Sequence, residues 1–263
     1  TAASLIRPAA YCGVAAFKPT TGAFDLSGVM ALSPSLDTLG ILARDPRDFV
    51  LARCVLTGTP MPAPLDFSGR LPRICLMRGP HWQDGSIEMR EACRRAMAAL
   101  AACGADTGEI AHPPLFADLT QAHKDVMGYE AARSRADVYD SHRPMISTQF
   151  AELIETGKRV TDTRYHAALA MRDRANAMVE VMLGDCDALL AASAPGEAPE
   201  GLGATGDPLF SRMWTLLQLP CVALPLGVGP QGLPLGIQLI GRKGDDARLL
   251  AVAAWAHDGL RDA

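Results

Sequence analysis

The chain has 263 residues, a formal net charge of −4 and 49% hydrophobic residues. This composition is ordinary for a globular protein and excludes wholesale disorder. It also provides no basic surplus for tracking a phosphate backbone, so nucleic acid is not an expected partner. No apolar run approaches the roughly 18 residues of a membrane span, and no secretory leader is visible after Thr1. We therefore expect a cytoplasmic protein with no membrane partner.

The first 45 residues alternate Gly, Pro, Ser and Thr with short apolar pieces. This pattern predicts irregular, tightly packed structure around a site, because loops held by a scaffold commonly carry function. A helical pattern begins at Pro46 and continues to Val55.

From residue 70 onward the pattern alternates between short apolar strands and longer amphipathic helices. Ser86 is the expected N-cap of one helix, and Thr161 or Asp162 that of another. Such alternation favours an α/β fold with a mostly parallel core. The predicted strands are 70–77, 105–110, 187–193, 221–227 and 233–241, and the predicted helices are 86–103, 115–131, 162–183, 209–218 and 245–259.

The cysteines and histidines do not form a metal-binding pattern. None of the seven cysteines has Cys-x-x-Cys spacing, and none of the six histidines has His-x-x-x-His spacing. Free, buried thiols in a reducing compartment are the main expectation, with zinc or disulfide chemistry as the alternatives. We expect neither a metal nor an organic cofactor.

Two Gly-x-Gly-x-x-Gly stretches, 201–206 and 227–232, lack the strand-then-helix context of a dinucleotide loop. We interpret both as turns. The acid pairs Asp185/Asp187 and Asp245/Asp246 are interpreted as structural, since the second opens a helix, where negative charge is favourable.

The segment around Ser4 has a different character. Small residues approach this serine, and Arg7 and Pro8 follow closely. Small residues before a nucleophile let the backbone approach a substrate and direct N–H groups at a developing oxyanion. The alternative is an ordinary turn or cap serine.

TAASLIRPAAYCGVAAFKPTTG (1–22) resembles the amidase signature family around its nucleophile, where Gly-Gly-Ser precedes an Ile-Arg-Pro-Ala segment and Phe-Lys-Pro-Thr follows. The similarity continues through LSPSLDTLGILARDPRD (32–48) and returns in LLAASAPGEAP, FSRMWTLLQLPCVALPLG and GLPLGIQLIGRKGDD. It is weak between about 60 and 185. The resemblance implies a twisted, mixed β-sheet covered by helices on both faces.

The resemblance also implies a Ser–Ser–Lys triad with Ser4 as the nucleophile. The bridging Ser, in a cis peptide, and the base Lys would both precede Thr1; Lys18 belongs to the Phe-Lys-Pro-Thr element instead. The oxyanion hole would be formed by the backbone N–H groups of Thr1, Ala2, Ala3 and Ser4. No cofactor is required.

Two features of this segment differ from the usual family pattern and bear on substrate specificity and on the rate of turnover. The order Ser4-Leu5-Ile6-Arg7-Pro8 resembles malonamidase-like enzymes, which implies that Arg7 binds a substrate carboxylate; bracing of the loop is the alternative. Ala2 and Ala3 stand where the family usually has Gly-Gly, which puts the oxyanion geometry in doubt.

Four further positions have expected roles, none of them as catalysts. Asp37 and Thr38 are expected to hold the loop behind the nucleophile, and Cys12 to fill the core. Trp214 either lines the acyl pocket or packs in the core.

The resulting prediction is that 1–263 form the C-terminal part of one amidase signature domain, whose upstream part is absent. The intact enzyme would hydrolyse a small linear amide, and this fragment alone would not. The alternatives are a protein like the glutamine-hydrolysing subunit of an amidotransferase, or a catalytically silent member with a structural or binding role. The expected partners are the amide substrate, the missing N-terminal part and, as in many relatives, a second copy in a homodimer.

Overall fold

The computed structural model describes residues 1–63, 67 and 69–261. Three short 3₁₀ helices (Trp82–Asp84, Pro114–Asp118 and Arg143–Met145) accompany the regular elements. The strands are β1 (Ala15–Lys18), β2 (Ile41–Ala43), β3 (Arg73–Arg78), β4 (Asp106–Ala111), β5 (Ala188–Ala192), β6 (Cys221–Val228) and β7 (Pro234–Ile240). The α-helices are α1 (Ile6–Cys12), α2 (Arg47–Thr57), α3 (Ile87–Ala102), α4 (Leu119–Ser134), α5 (Ala136–Ser141), α6 (Thr148–Lys158), α7 (Asp162–Leu183), α8 (Leu209–Leu216) and α9 (Asp246–Leu260).

The strands form one mixed sheet in the order β2-β1-β6-β7-β5-β3-β4. Only β3 with β4 and β3 with β5 pair in parallel among the described residues, and the other neighbours are antiparallel. The mixed sheet is confirmed, and the mostly parallel core is wrong. An alternation of strands and helices does not predict the antiparallel pairs, which arise in two places. β6 and β7 form a hairpin, and β1 and β2 come from the loop-rich first 45 residues.

Successive side chains of each strand enter opposite cores, as the pleat requires. In β3, Ile74 and Leu76 pack beneath α3 and α9, while Cys75 and Met77 pack beneath α4, α7 and α8. Helix α1 lies on this second face, where Ile6 and Ala9 join the core. The expected helical cover on both faces is therefore confirmed.

Helix starts follow local sequence closely. The Ser86 hydroxyl accepts a hydrogen bond from the Met89 amide at 3.1 Å, and the Thr161 hydroxyl accepts one from the Arg164 amide at 3.2 Å, so both N-caps are confirmed. Helix α1 was missed, because its seven residues contain Pro8 and are too short to show a periodic pattern. Gly13 ends it at φ 64°, a left-handed conformation that favours glycine.

The cysteine interpretation needs correction. Cys75 and Cys186 form a disulfide across 111 positions, so these two thiols are not free. Cys12 and Cys103 are exposed, and the prediction that Cys12 fills the core is wrong because it occupies the outer face of the last turn of α1. Cys54, Cys93 and Cys221 are free and buried, as expected. None of the helices in the described ranges is long and apolar enough to cross a membrane.

Candidate active site

Ser4 is exposed at the turn that leads into α1. The residue before it, Ala3, is buried and has φ 56°, in the left-handed region that L-residues with a Cβ rarely adopt. The strain expected from replacing Gly-Gly thus falls on Ala3 and not on Ala2. A strained residue held by surrounding structure is a common feature of functional sites.

The backbone N–H groups of Ala2, Ala3 and Ser4 have no hydrogen-bond acceptor within 1–63, 67 and 69–261. Buried or half-buried amides are normally paired, so the unpaired N–H groups of half-buried Ala2 and buried Ala3 are unusual in the described part of the chain. The three N–H groups belong to Ser4 itself and to the two residues before it.

Thr1 is held from two sides. Its hydroxyl donates to the carboxylate of Asp37, which also accepts the amide hydrogens of Leu32 (2.7 Å) and Ser33 (3.0 Å). The Thr1 carbonyl oxygen lies 2.9 Å from Nε2 of His123 on α4. Asp37 therefore does hold the loop behind the nucleophile, as expected, and Thr38 lies beside it, with its hydroxyl 3.3 Å from that of Thr21.

His123 is fully buried, and burial lowers its pKa to about 3. The hydrogen bond to Thr1 opposes this shift, while the nearby Arg212 guanidinium adds to it. The ring is consequently neutral at ordinary pH. Sequence reasoning missed His123, because a lone histidine within a helix has no distinguishing spacing.

Arg7 is buried and braces the loop before α8. Its Nη1 donates to the Gly206 carbonyl at 2.9 Å and its Nη2 to the Thr205 hydroxyl at 3.0 Å. Burial lowers the pKa of Arg7 from its ordinary value, with Tyr11 and Asp207 opposing the shift. Two of the five guanidinium N–H donors are thus used on the loop.

A cavity of about 20 Å³ adjoins Ser4, enough for about one water molecule. Lys18, Thr38, Ser211 and Gln238 also line it. The Lys18 ammonium donates to the carbonyls of Pro19 and Leu219, and burial lowers its pKa. Within the described residues, Ser211 Oγ and Gln238 Oε1 are buried without a partner. Sequence reasoning did not select Ser211 or Gln238, because both lie more than 200 positions after Ser4.

The remaining candidates have structural positions. Trp214 is fully buried in the second core, which confirms the core interpretation. Asp187 is buried and accepts from Arg70 (3.0 Å), Arg248 and the Arg73 amide (2.7 Å). Gly229 and Gly232 form the turn between β6 and β7, and 201–206 lie in a loop, so neither glycine motif opens a helix.

Comparison with known proteins fits this arrangement. A family model described as Amidase matches residues 1–250, so the chain belongs to the amidase signature family. The solved structure "Crystal structure of amidase" superposes with a TM-score of 0.88 at 28% identity, covering 98% of this chain and 61% of that one. 6-Aminohexanoate cyclic dimer hydrolase, at 20% identity and a TM-score of 0.80 over 99% and 64% of the two chains, shows the fold alone.

Curated relatives have several described activities. A glutamyl-tRNA(Gln) amidotransferase subunit of Granulibacter bethesdensis is 30% identical over 97% of this chain and 60% of its own length. Mandelamide hydrolase of Pseudomonas putida is 27% identical over 99% and 57%. The chain thus spans about 60% of the length of these relatives.

Proposed function

We propose that the protein hydrolyses the C–N bond of a small linear amide through an acyl-enzyme on Ser4. The observation that carries this proposal is the exposed Ser4 beside three successive backbone N–H groups without an acceptor in the described part of the chain. Membership of the amidase family and the similarity to mandelamide hydrolase support it.

The chemistry proceeds in two halves. The Ser4 hydroxyl attacks the amide carbon, its proton passes to a base, and the N–H groups of Thr1, Ala2, Ala3 and Ser4 stabilise the tetrahedral oxyanion. The protonated base then gives its proton to the leaving amine, and water hydrolyses the ester by the same path. The resemblance assigns the base to a Lys, acting through a bridging Ser, both before Thr1. Lys18 is a poor candidate for that base, because its ammonium already donates to two carbonyls.

Arg7 is proposed to select substrates that carry a carboxylate. Three of its N–H donors remain beyond those used on Thr205 and Gly206, and a guanidinium can bind a carboxylate through two of them. Arg7→Lys should raise the KM for malonamate much more than that for neutral amides. Equal changes for both substrates would leave loop bracing as its sole role.

Glutamine hydrolysis of the kind that supplies an amidotransferase with ammonia is the second candidate activity, favoured by the 30% identity to the glutamyl-tRNA(Gln) amidotransferase relative. Release of ammonia from glutamine, malonamate and a neutral aliphatic amide by the full-length gene product would separate the two. A preference for glutamine would support the amidotransferase.

Covalent labelling tests the nucleophile. A fluorophosphonate probe should label the full-length gene product at Ser4, and Ser4→Ala should abolish labelling and ammonia release. A folded protein that neither labels nor releases ammonia would instead be a silent member with a structural or binding role.

A further inference from the structure

The two ring nitrogens of His123 have partners of opposite character. Nε2 lies 2.9 Å from the Thr1 carbonyl oxygen, which can only accept a hydrogen bond. Nδ1 lies 3.2 Å from Nη1 of Arg212, which can only donate. Both contacts are satisfied together by one form of the ring, the neutral tautomer with its hydrogen on Nε2. The lowered pKa of His123 is consistent with that form.

This contact fixes the direction of a neighbouring amide. In a trans peptide the C=O and the following N–H lie in one plane and point in opposite directions. The hydrogen bond from His123 draws the Thr1 carbonyl towards α4, so the Ala2 N–H points away from α4. That N–H is one of the three with no acceptor in the described ranges.

The Ala3–Ser4 peptide is held in a similar way, but by a backbone N–H group. The Arg7 amide donates to the Ala3 carbonyl at 3.3 Å, which orients the Ser4 N–H by the same geometry. The Thr1–Ala2 peptide has no such backbone partner among the described residues, and the His123 ring takes that role.

We propose that His123 is a positioning residue: its Nε2–H holds the Thr1 carbonyl so that the Ala2 N–H is aimed at the oxyanion, and Arg212 fixes the tautomer that does so. The proposal rests on the acyl-enzyme function proposed above. It assigns His123 no proton transfer, since both ring nitrogens are already engaged, Nε2 with Thr1 and Nδ1 with Arg212.

Two substitutions separate the contacts of the ring. In His123→Gln the side-chain amide nitrogen can reach the Nε2 position and still donate to Thr1. In His123→Asn the shorter side chain keeps an oxygen near the Nδ1 position for Arg212 but cannot reach Thr1. Lys124→Ala, exposed on the next position of α4, is the matched control.

The experiment uses the full-length gene product, with active sites counted by fluorophosphonate titration so that misfolded protein is excluded. We expect His123→Asn to lower kcat per titrated site about 10- to 100-fold with a small change in KM, by analogy with residues that orient the ligands of metal sites. The second-order labelling rate should fall in parallel, because the phosphonate oxygen occupies the same hole. His123→Gln should recover most of both values, and Lys124→Ala should match the wild type.

Equal kcat per titrated site in His123→Asn and the wild type would overturn the inference, even if melting temperature falls. Equal losses in the Asn and Gln variants would also overturn it, since the donor to Thr1 would then be irrelevant. A wild type that neither labels nor turns over would refute the proposed function instead. A kcat-against-pH profile that differs between His123→Gln and the wild type from pH 5 to 9 would contradict a permanently neutral ring.

Discussion

The Ser33 hydroxyl donates a 2.7 Å hydrogen bond to the carboxylate of Glu130, which lies 97 positions later on α4. The same carboxylate accepts the Ser35 amide hydrogen at 3.0 Å and the Tyr165 hydroxyl at 2.8 Å. Asp37 of this same loop holds Thr1. Glu130 therefore stabilises the segment around Ser4 indirectly, through the loop.

Glu130→Gln should destabilise the protein by about 1–2 kcal/mol, since the amide keeps one oxygen for the Ser33 and Ser35 donors but loses the negative charge that strengthens these bonds and turns an NH₂ group towards the Tyr165 hydroxyl. Chemical denaturation would measure the loss. Glu155→Gln is the matched control: Glu155 also accepts from a tyrosine and an arginine, but its side chain is 45% exposed and should matter by less than about 1 kcal/mol. Similar losses in both variants would contradict the assigned importance of Glu130.

Ala3→Gly should stabilise the fold by up to about 1 kcal/mol, because glycine adopts φ 56° without the Cβ clash that Ala3 experiences. Ala2→Gly, in the same loop but without positive φ, should destabilise it by about 0.5–1 kcal/mol through added freedom of the unfolded chain. Thermal or urea unfolding of the two variants measures the opposite signs. A stabilising effect of both would show that the strain lies elsewhere.

The buried, neutral His123 predicts a specific loss of stability in acid. Burial holds its pKa at about 3 in the folded protein, against about 6.5 when unfolded. Between these values only the unfolded state binds the proton, so the free energy of unfolding falls by about 1.4 kcal/mol for each unit that pH drops below 6.5. His123→Gln lacks this contribution, and its stability relative to wild type should improve by about 2 kcal/mol from pH 7 to pH 5 in urea melts. Parallel pH dependences would contradict the neutral buried ring.

The disulfide predicts a count of thiols. Alkylation of the unreduced, denatured protein, followed by peptide mapping, should modify five of the cysteines in 1–263, and prior reduction should raise that number to seven. Cys75→Ala with Cys186→Ala should destabilise the oxidised protein by about 2–4 kcal/mol, because the bond closes a long loop in the unfolded chain. Cys93→Ala is the control. It removes a buried free thiol, so reduction should still raise the number of alkylated cysteines by two in this variant. Seven reactive thiols without reduction would contradict the pairing.

Elements with strong local signals could be predicted from the sequence. The long helix α7 and the capped helix α3 begin where Thr161 and Ser86 predicted, because a cap is a local interaction. Strands such as β5, apolar along their whole length, were equally recognisable. The direction of strand pairing was not, since neither the order β2-β1-β6 nor the antiparallel register leaves a mark in any single segment.

At the site, Ser4 and Asp37 were accessible to sequence reasoning because they lie in one motif-rich stretch. His123, Arg212 and Ser211 were not, because each reaches the site only through the packing of α4 and α8 around the first residues. The left-handed conformation of Ala3 was foreseen as a cost of replacing glycine, but its confinement to one of the two alanines depends on the observed turn.

The contacts around Thr1 and Arg7 join positions that are far apart along the chain. Asp37, His123 and Gly206 are separated from their partners by 36, 122 and 199 positions. Contacts of such range form late, because the entropy of closing large loops must be overcome first. A folding intermediate that has gained its helices and hairpins would therefore possess the serine without an ordered anion-binding turn around it. Reactivity towards a phosphonate during refolding would report completion of the whole fold rather than of any one part.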